Sequence, residues 1–362
     1  MAKYEIEIWS KDGRPMGNIR PVCANFRWQK TRNEAEQVEF TVNLTKYEEY
    51  IDAMGFNSNP YDFMEVGRND VRIKRDGKYL VGANIIKFGF TAQDPSITMT
   101  VSATGYLNYY KNRFCDISYT NTPQHDILWG VINQCNQMTG GDYGIRQGTH
   151  KGAIVRRDRN QVRKEVKSFF QQMSQVIGGC DFEFTPDKKL NTYDAIGTYR
   201  PEIILRYPDN IAGFSFERSV DNVSNFVYAI GSGNGEDAVQ TATADSDSAN
   251  YLYRRERIVS YNSITDQTTL GQNAAAVLHY SKEIIELPTI TVADGVLDLS
   301  TLSLGDSITL EMLGHPSLSH ISGIYRIESI DVSVDDNDAE TVTLTFDNLD
   351  IQSIIDAQES EG

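Results

Sequence analysis

Gly67-Arg68-Asn69-Asp70-Val71-Arg72-Ile73-Lys74, followed by a turn, Gly82, Ile86-Lys87-Phe88-Gly89-Phe90 and Ile97-Thr98-Met99-Thr100-Val101, has a counterpart near the C-terminus. The counterpart is Leu304-Gly305-Asp306-Ser307-Ile308-Thr309-Leu310-Glu311, a turn, Gly323, Ile327-Glu328-Ser329-Ile330-Asp331-Val332 and Val342-Thr343-Leu344-Thr345-Phe346. Each copy reads as glycine, strand, turn, glycine, strand, turn, strand. Two generic meanders would look alike in this way, and so would two similar β domains in one chain. The second reading has a consequence for symmetry, because three such chains would present six similar units to a six-fold ring.

The flanking sequence continues the β pattern. Tyr4, Ile6 and Ile8 alternate with Glu5 and Glu7, a period of two that marks a half-buried strand, and Lys11-Asp12-Gly13-Arg14 signals a hairpin turn. Val38-Glu39-Phe40-Thr41-Val42-Asn43-Leu44 alternates in the same way, and Asp76-Gly77 is a turn dipeptide. Short strands with regular turns predict a barrel or sandwich.

From about residue 105 the period changes. Thr122-Pro123 predicts a helix start with proline at the first helical position; Ile127, Val131, Cys135 and Met138 follow at helical spacing, and Gly140-Gly141 ends the run. Spacing predicts a second helix over 160–177, with Val162, Val166, Phe169, Met173 and Val176 on one face and Gly178-Gly179 at its end. Asp181-Phe182-Glu183-Phe184 and Asn191-Thr192-Tyr193 then flank Pro186-Asp187-Lys188-Lys189 as a hairpin. Strand signals return at Ile203-Ile204-Leu205, Phe214-Ser215-Phe216 and from Asn225 to Gly231. Residues 232–250 are small, polar and acidic, which predicts a surface loop or linker. A helix over about 270–286 carries Leu278 and Ile284, with Pro288 beyond its end, and an acidic tail starts near Asp356. The fold class is therefore mainly β with an α+β insert. We expect a first β domain at 1–104, completed by 205–232, an insert at 105–204 and a second β domain at 233–362.

Composition narrows the function. The chain has 362 residues, room for two or three domains with cores of their own, and 40% hydrophobic with 23% charged residues is ordinary for a globular protein. No window approaches the roughly 18 consecutive apolar residues of a spanning helix, so no stable membrane insertion is expected. Charges interleaved from the third residue of MAKYEIEIWSKDG exclude a secretory apolar region there, and synthesis and folding in cytoplasm are expected. A net charge of −16 repels phosphate backbones and argues against nucleic-acid binding by the chain as a whole. Cys23, Cys115, Cys135 and Cys180 are far apart and form no C-x-x-C pair. They read as buried thiols of a reducing compartment rather than a metal or disulfide framework.

Candidate chemistry is sparse. Gly231-Ser232-Gly233-Asn234-Gly235-Glu236 is glycine-rich but lacks the last glycine and the following helix of a dinucleotide loop, so it reads as a flexible loop. Asp245-Ser246-Asp247 precedes Glu256 at a calcium-loop distance without the middle ligand or the required glycine. Asp335-Asp336-Asn337-Asp338 lies between alternating strands as a hairpin turn whose charge density also suits a cation. His125, His150, His279, His315 and His320 form no zinc-ligand spacing, and Gly213-Phe214-Ser215-Phe216-Glu217 departs from the nucleophile elbow at its last position. No catalytic residue, metal or cofactor is indicated. One basic island opposes the global charge: Arg146, Lys151, Arg156, Arg157, Arg159, Arg163, Lys164 and Lys167. Such a run is a solvated loop and helix face or a docking patch for an acidic neighbour, the patch centred on Arg156, Arg157, Arg159, Arg163, Lys164 and Lys167.

The C-terminal third also carries Arg255-Glu256-Arg257-Ile258-Val259, an alanine-rich helix, Leu302-Ser303-Leu304-Gly305-Asp306-Ser307-Ile308, Gly323-Ile324-Tyr325-Arg326-Ile327 and the closing Val342–Phe346 strand. This order resembles the bacteriophage baseplate or tail-tip hub proteins, related to the hub half of contractile-tail and type VI secretion spikes. The N-terminal strand–turn pattern, the insert and the Asn225-to-Gly233 strand and loop fit the same order. The resemblance spans nearly the whole chain in element order and is diffuse in sequence. It implies two tail-tube-like β domains per chain in a homotrimer of pseudo-six-fold symmetry. That ring would adapt a hexameric tail tube or distal tail ring to a three-fold tip. Implied partners are the distal tail or tail-tube protein, the tape-measure protein and tip or fibre proteins, with DNA passing through the channel without specific binding. The implied place is a virion tail tip assembled in host cytoplasm, with no reaction and no cofactor. Two other classes stay open on the residues alone. One is a β-sandwich recognising a receptor or glycan, for which 19 tyrosines are suited; the other is a cell-wall hydrolase, which the absent motifs disfavour.

Overall fold

Alternation along the chain is the organising force in the N-terminal third. In the computed structural model β1 (Tyr4–Trp9) buries Tyr4, Ile6 and Ile8 and forms a hairpin with β2 (Pro15–Asn18). The structure describes residues 2–347 except 57, 58, 94, 176, 177, 222, 234, 262 and 263. Val176 and the acidic tail from Asp356 lie outside the described residues. Two compact units form, one from Met1–Phe214 with Thr289–Leu349 and one from Ser215–Pro288.

In the first unit β3 (Cys23–Thr31) pairs antiparallel with β4 (Gln37–Asn43). The Asn43 side chain accepts from the Lys46 N–H and caps α1 (Leu44–Ala53), a helix the alternation did not announce. The short α2 (Pro60–Phe63) begins with proline, which suits its pre-set φ. An antiparallel meander follows: β5 (Asp70–Arg75), β6 (Lys78–Gln93) and β7 (Ser96–Gly105). Asp76 and Gly77 both have left-handed φ, 50° and 78°, as a two-residue hairpin turn demands.

The insert begins with β8 (Phe114–Pro123) and α3 (Gln124–Gln137). Pro123 closes the strand instead of opening the helix, and the freed N–H of Gln124 donates to the Val155 carbonyl. Ile127, Val131 and Cys135 are buried on the expected face, whereas Met138, beyond the last turn, is exposed. After β9 (Arg146–Lys151), residues 156–165 form β10 (Arg156–Glu165), and α4 covers only Val166–Gln175. The expected helix over 160–177 is thus corrected: its first third hydrogen-bonds to β8, and Val162 is 77% exposed on that strand. Isolated Val162 matched the helical period by coincidence, and ladder pairing overrode it. The hairpin β11 (Asp181–Phe184) and β12 (Lys189–Tyr193) forms as expected, with β12 also parallel to β9. Phe169, Phe170, Phe182, Phe184, Leu128 and Ile117 fill the core between them. The chain leaves through β13 (Tyr199–Tyr207) and β14 (Ile211–Ser219).

The second unit packs a three-stranded sheet on a helix. Its strands are β15 (Phe226–Ile230), β16 (Gln240–Ala244) and, after α5 (Ser246–Leu252), β17 (Glu256–Ser260). Next, α6 (Gln267–Ser281) lays Leu270, Ala274 and Leu278 against Val227 and Ala229. Residues 232–250 are therefore not a plain loop. Thr241 and Thr243 alternate in β16, and Asp245 caps α5 by accepting from the Ser248 N–H. Ile284 falls beyond α6, which ends at Ser281.

Finally β18 (Ile285–Val292), β19 (Ser307–Met312), β20 (Gly323–Val334) and β21 (Glu340–Asp347) return to the first unit's sheet. Its order is β14-β18-β21-β20-β3-β4-β7-β6-β5-β1-β2, with β19 beside β20 and β13 beside β19. The path has two ends and does not close into a barrel among the described residues. Within it the two copies of the sequence repeat adopt one design. The left-handed Gly67 (φ 74°) and Gly305 (φ 76°) donate their N–H to the carbonyls of Ile85 and Ile327. Those two residues donate back to Asn69 and Asp306. A register shift follows at the same place, between Ile85 and Lys87 on β6 and between Ile327 and Ser329 on β20. Beside the meanders, Phe40 faces Val101 as Ile290 faces Leu344. Generic meanders would share strand order but not a glycine, a bulge and a register. The chain holds two similar five-strand runs, β5-β6-β7-β4-β3 and β19-β20-β21-β18-β14, joined where β3 pairs β20.

Candidate functional surface

Alternation gives the shared sheet one apolar and one hydroxyl face. Phe40, Val101, Val342 and Leu344 are buried, and their neighbours Thr41, Thr100, Thr343 and Thr345 point the other way. Across strands the Thr41 and Thr100 hydroxyls lie 3.5 Å apart and those of Ser329 and Thr345 2.5 Å apart. Hydroxyls donate and accept without net charge, so this face hydrates well and offers little for a polyanion to grip. The Arg27 guanidinium there is matched by Asp331, its Nε donating to Oδ1 at 2.8 Å.

Besides β2 and β13 at the margins of the sheet, two strand edges are open among the described residues: β14 ends the sheet path, and β6 beyond Asn84 pairs only with β7, because β5 stops at the Asp70–Asn84 pair. Register equates Phe88 and Phe90 of β6 with Ile330 and Val332 of β20. There the equivalence stops. Ile330 and Val332 are 3% and 0% exposed beside β3, whereas Phe90 is 45% exposed. Phe88 stacks edge to face on Phe90, Tyr61 stacks in turn on Phe88, and Tyr61 and Phe90 stay exposed at this aromatic tip.

The insert is held on the sheet by two buried charge clusters. Asp181 accepts from Arg326 Nη2 at 2.9 Å, Asn33 Nδ2 at 2.7 Å and the Ile196 N–H at 2.8 Å, with Arg32 at 3.6 Å. Asp70, at the start of β5, pairs with Lys188 Nζ at 2.6 Å and accepts from the Tyr109 hydroxyl at 2.6 Å. Tyr109 in turn stacks on Tyr143, ring centres 4.5 Å apart. Gly82 permits this docking, since a Cβ there would lie 2.8 Å from both Pro186 Cα and the Tyr106 hydroxyl.

Strand geometry divides the basic cluster. Arg157 and Arg159 turn inward from β10. Arg157 Nε donates to Gln124 Oε1 at 3.0 Å and its Nη2 to the Gly178 carbonyl; Arg159 Nε reaches Met173 Sδ at 3.2 Å. Burial pushes Arg157 down to about 10 and lowers Arg159 as well. Arg156 is exposed and donates to the Asn121 carbonyl at 2.7 Å. Arg163 is exposed at a left-handed φ of 48°, its N–H held by Asp116, while Lys164 and Lys167 are half-buried. Arg146 pairs with Asp142 at 2.9 Å.

The remaining candidates are occupied by structural work. Asp245 pairs with Lys282 at 3.1 Å, and Glu256 with Arg254 at 2.5 Å. Asp338 pairs with Arg20 at 2.6 Å, and Asp335 accepts from the Asn337 and Ala339 N–H groups. His315 accepts from the Ser317 N–H and caps a short helix. Among the described residues no group of three or more His, Cys, Asp or Glu could hold a metal ion. Sequence reasoning missed the stacked His125 and His150 rings, 4.1 Å apart. It also missed both anchoring clusters, of which Asp70 lies at the start of the first repeat and Asp181 lies outside both repeats.

No family model and no curated protein matches the chain. Solved structures do. A tail protein from Neisseria meningitidis MC58 aligns with a TM-score of 0.68 at 12% identity, over 96% of this chain and 97% of that one. The 43 kDa tail protein of prophage MuSo2 from Shewanella oneidensis aligns at 0.65 and 12%, covering 96% and 98%. An E. coli component of the type VI secretion system, described as structurally similar to the T4 bacteriophage tail proteins gp27 and gp5, aligns at 0.52 and 12%, covering 90% and 73%. Across nearly its whole length, this chain has the fold of phage tail and type VI tail-like proteins.

Proposed function

We propose that the protein is a structural hub of a phage tail tip or baseplate, a homotrimeric ring of pseudo-six-fold symmetry and not an enzyme. The observation that carries this reading is the pair of equivalent five-strand runs with equivalent open edges. Within the chain, β3 of the first run pairs with β20 of the second. By register, β14 is the second run's β3, and β6 is the first run's β20. The same contact made between chains therefore pairs β14 of one copy with the free edge of β6 of the next, covering Phe88 and Phe90. Three copies joined head to tail close a ring of six runs. An unpaired, apolar edge is otherwise a liability that a monomer would blunt.

In this reading the ring adapts a hexameric tail tube or distal tail protein to a three-fold tip, and its hydroxyl-rich sheet face lines a channel for the tape-measure protein and DNA. The net charge of −16 supports passage without adhesion. Residues 105–204 are the insert outside the wall, where Arg156, Arg163, Lys164 and Lys167 meet an acidic neighbour, such as a tip or fibre protein or an adjacent subunit; Arg157 and Arg159 brace the strand that presents them. The fold's likeness to tail proteins supports the assignment to a virion assembled in the host cytoplasm. Cryo-electron microscopy of the purified chain, and of particles carrying it, tests the reading. Class averages three-fold by subunit and nearly six-fold by run are expected around a central opening. A monomer in both samples would overturn the hub and turn attention to receptor or glycan binding.

A further inference from the structure

Cys115 on β8 and Cys135 on α3 stand 20 residues apart in sequence and meet in the core of the insert. Their sulfurs are 3.3 Å apart, and both side chains are buried and free. Cys23 and Cys180 make no such contact among the described residues, and burial pushes each of their thiols up to about 12. Arg113 lies against the pair: its Nη2 donates to the Cys135 carbonyl at 3.3 Å and contacts Met138 Sδ at 3.4 Å. The backbone is shaped around this contact, since a Cβ at Gly141 would lie 2.2 Å from the Cys135 carbonyl and 2.6 Å from Arg113 Nη2.

We propose that Cys115 and Cys135 form an oxidation site, which a small peroxide converts into an intramolecular disulfide stapling β8 to α3. A disulfide needs sulfurs about 2.05 Å apart, so closure from 3.3 Å requires an approach of little more than 1 Å. The two thiols share a hydrogen bond, and that bond, with the Arg113 guanidinium beside it, holds Cys115 below the usual thiol range. Cys115 is therefore the nucleophile. Its thiolate attacks one peroxide oxygen, the O–O bond breaks, and Cys115 becomes a sulfenic acid while hydroxide leaves and takes up the thiol's proton as water. The Cys135 sulfur then attacks the Cys115 sulfur, the S–O bond breaks, and a second water departs carrying the Cys135 proton. Two thiols lose two electrons in all and one peroxide gains them. Burial selects hydrogen peroxide, close to water in size, over bulky disulfides.

The test exposes the full chain to hydrogen peroxide, blocks remaining thiols with iodoacetamide and maps peptides by mass spectrometry. Loss of two of the four thiols is expected, with one cross-linked peptide joining Cys115 to Cys135. A rise in Tm of about 5 °C, reversed by dithiothreitol, should accompany it. In Cys135→Ser, Cys115 should instead be trapped as a sulfenic acid that dimedone labels. Four intact thiols after prolonged exposure, over-oxidation of Cys115 without a cross-link, or a cross-link through Cys23 or Cys180 would each overturn the proposal. The peptide map of the unmodified sequence decides the matter even if Cys135→Ser does not fold.

Discussion

Replacing Phe90 by aspartate separates assembly from folding. Phe90 is 45% exposed at the free edge of β6, whereas its register equivalent Val332 is fully buried beside β3. A phenylalanine side chain offers about 200 Å², so the exposed portion amounts to about 90 Å² that an incoming β14 would cover. At about 25 cal/mol per Å² this is worth about 2 kcal/mol per contact, and a carboxylate at that position adds the cost of its own desolvation. Each contact should weaken about 30-fold, and closure of three contacts about 30,000-fold. The isolated chain, in which this ring is already half in water, should lose less than about 1 kcal/mol. Mass photometry across a concentration series reads the association, and thermal unfolding reads the fold. Val332→Asp is the matched control: it places a charge where nothing is exposed and should unfold the sheet. If Phe90→Asp assembles at the same concentrations as the parent chain, the edge-to-edge ring is wrong, whatever symmetry the particles have.

Other consequences follow from the anchors of the insert. Asp181→Asn removes the carboxylate that faces the buried Arg326 at 2.9 Å, while Arg32 keeps Glu328 at 2.8 Å, and should cost about 3 kcal/mol, seen as a fall in Tm of about 5 °C; a change below about 1 °C would show the cluster to be inert. Gly82→Val drives a side chain into Pro186 and Tyr106, and should release the insert to limited proteolysis near residue 186 while the meander stays protected; an unchanged digestion pattern would count against tight docking. Glu36 carries the pH dependence: burial raises its carboxyl from 4.5 to about 7, because the chain packs it against Gly105. A raised folded-state value means the stabilisation is complete below pH 4.5 and is lost as pH rises through 7, by up to about 3 kcal/mol. Glu36→Gln should flatten that slope between pH 4.5 and 7 in urea titrations, and an unaltered slope would assign it elsewhere.

Much of the fold is legible because period-two alternation and turn chemistry are local. Tyr4-Ile6-Ile8, Val38-Phe40-Val42 and the Asp76-Gly77 turn each state their structure within a few residues. The repeat is legible too, since Gly67 and Gly305 serve backbones that require a left-handed φ. Failures of the local reading have a common cause. Residues 160–165 look like the start of a helix by spacing and become a strand because β8 supplies a ladder; Gln240–Ala244 looks like linker and is recruited by β15. In both, a partner distant in sequence outweighs a weak local preference. The site behaves likewise. The basic cluster is visible as composition, but only strand alternation decides that Arg157 and Arg159 point inward and Arg156 outward.

Sequence by itself determined the β-rich class, the repeated glycine–strand–turn order, the absence of catalytic spacing and the acidic balance, because all of these are properties of order and composition along one chain. Tertiary structure alone decided that both runs share a sheet, that Asp181 meets Arg326 and Cys115 meets Cys135, and that Phe90 stays uncovered where Val332 does not. Those are facts about which distant residues become neighbours. They arise from long-range strand pairing and the burial it brings, which no periodicity encodes.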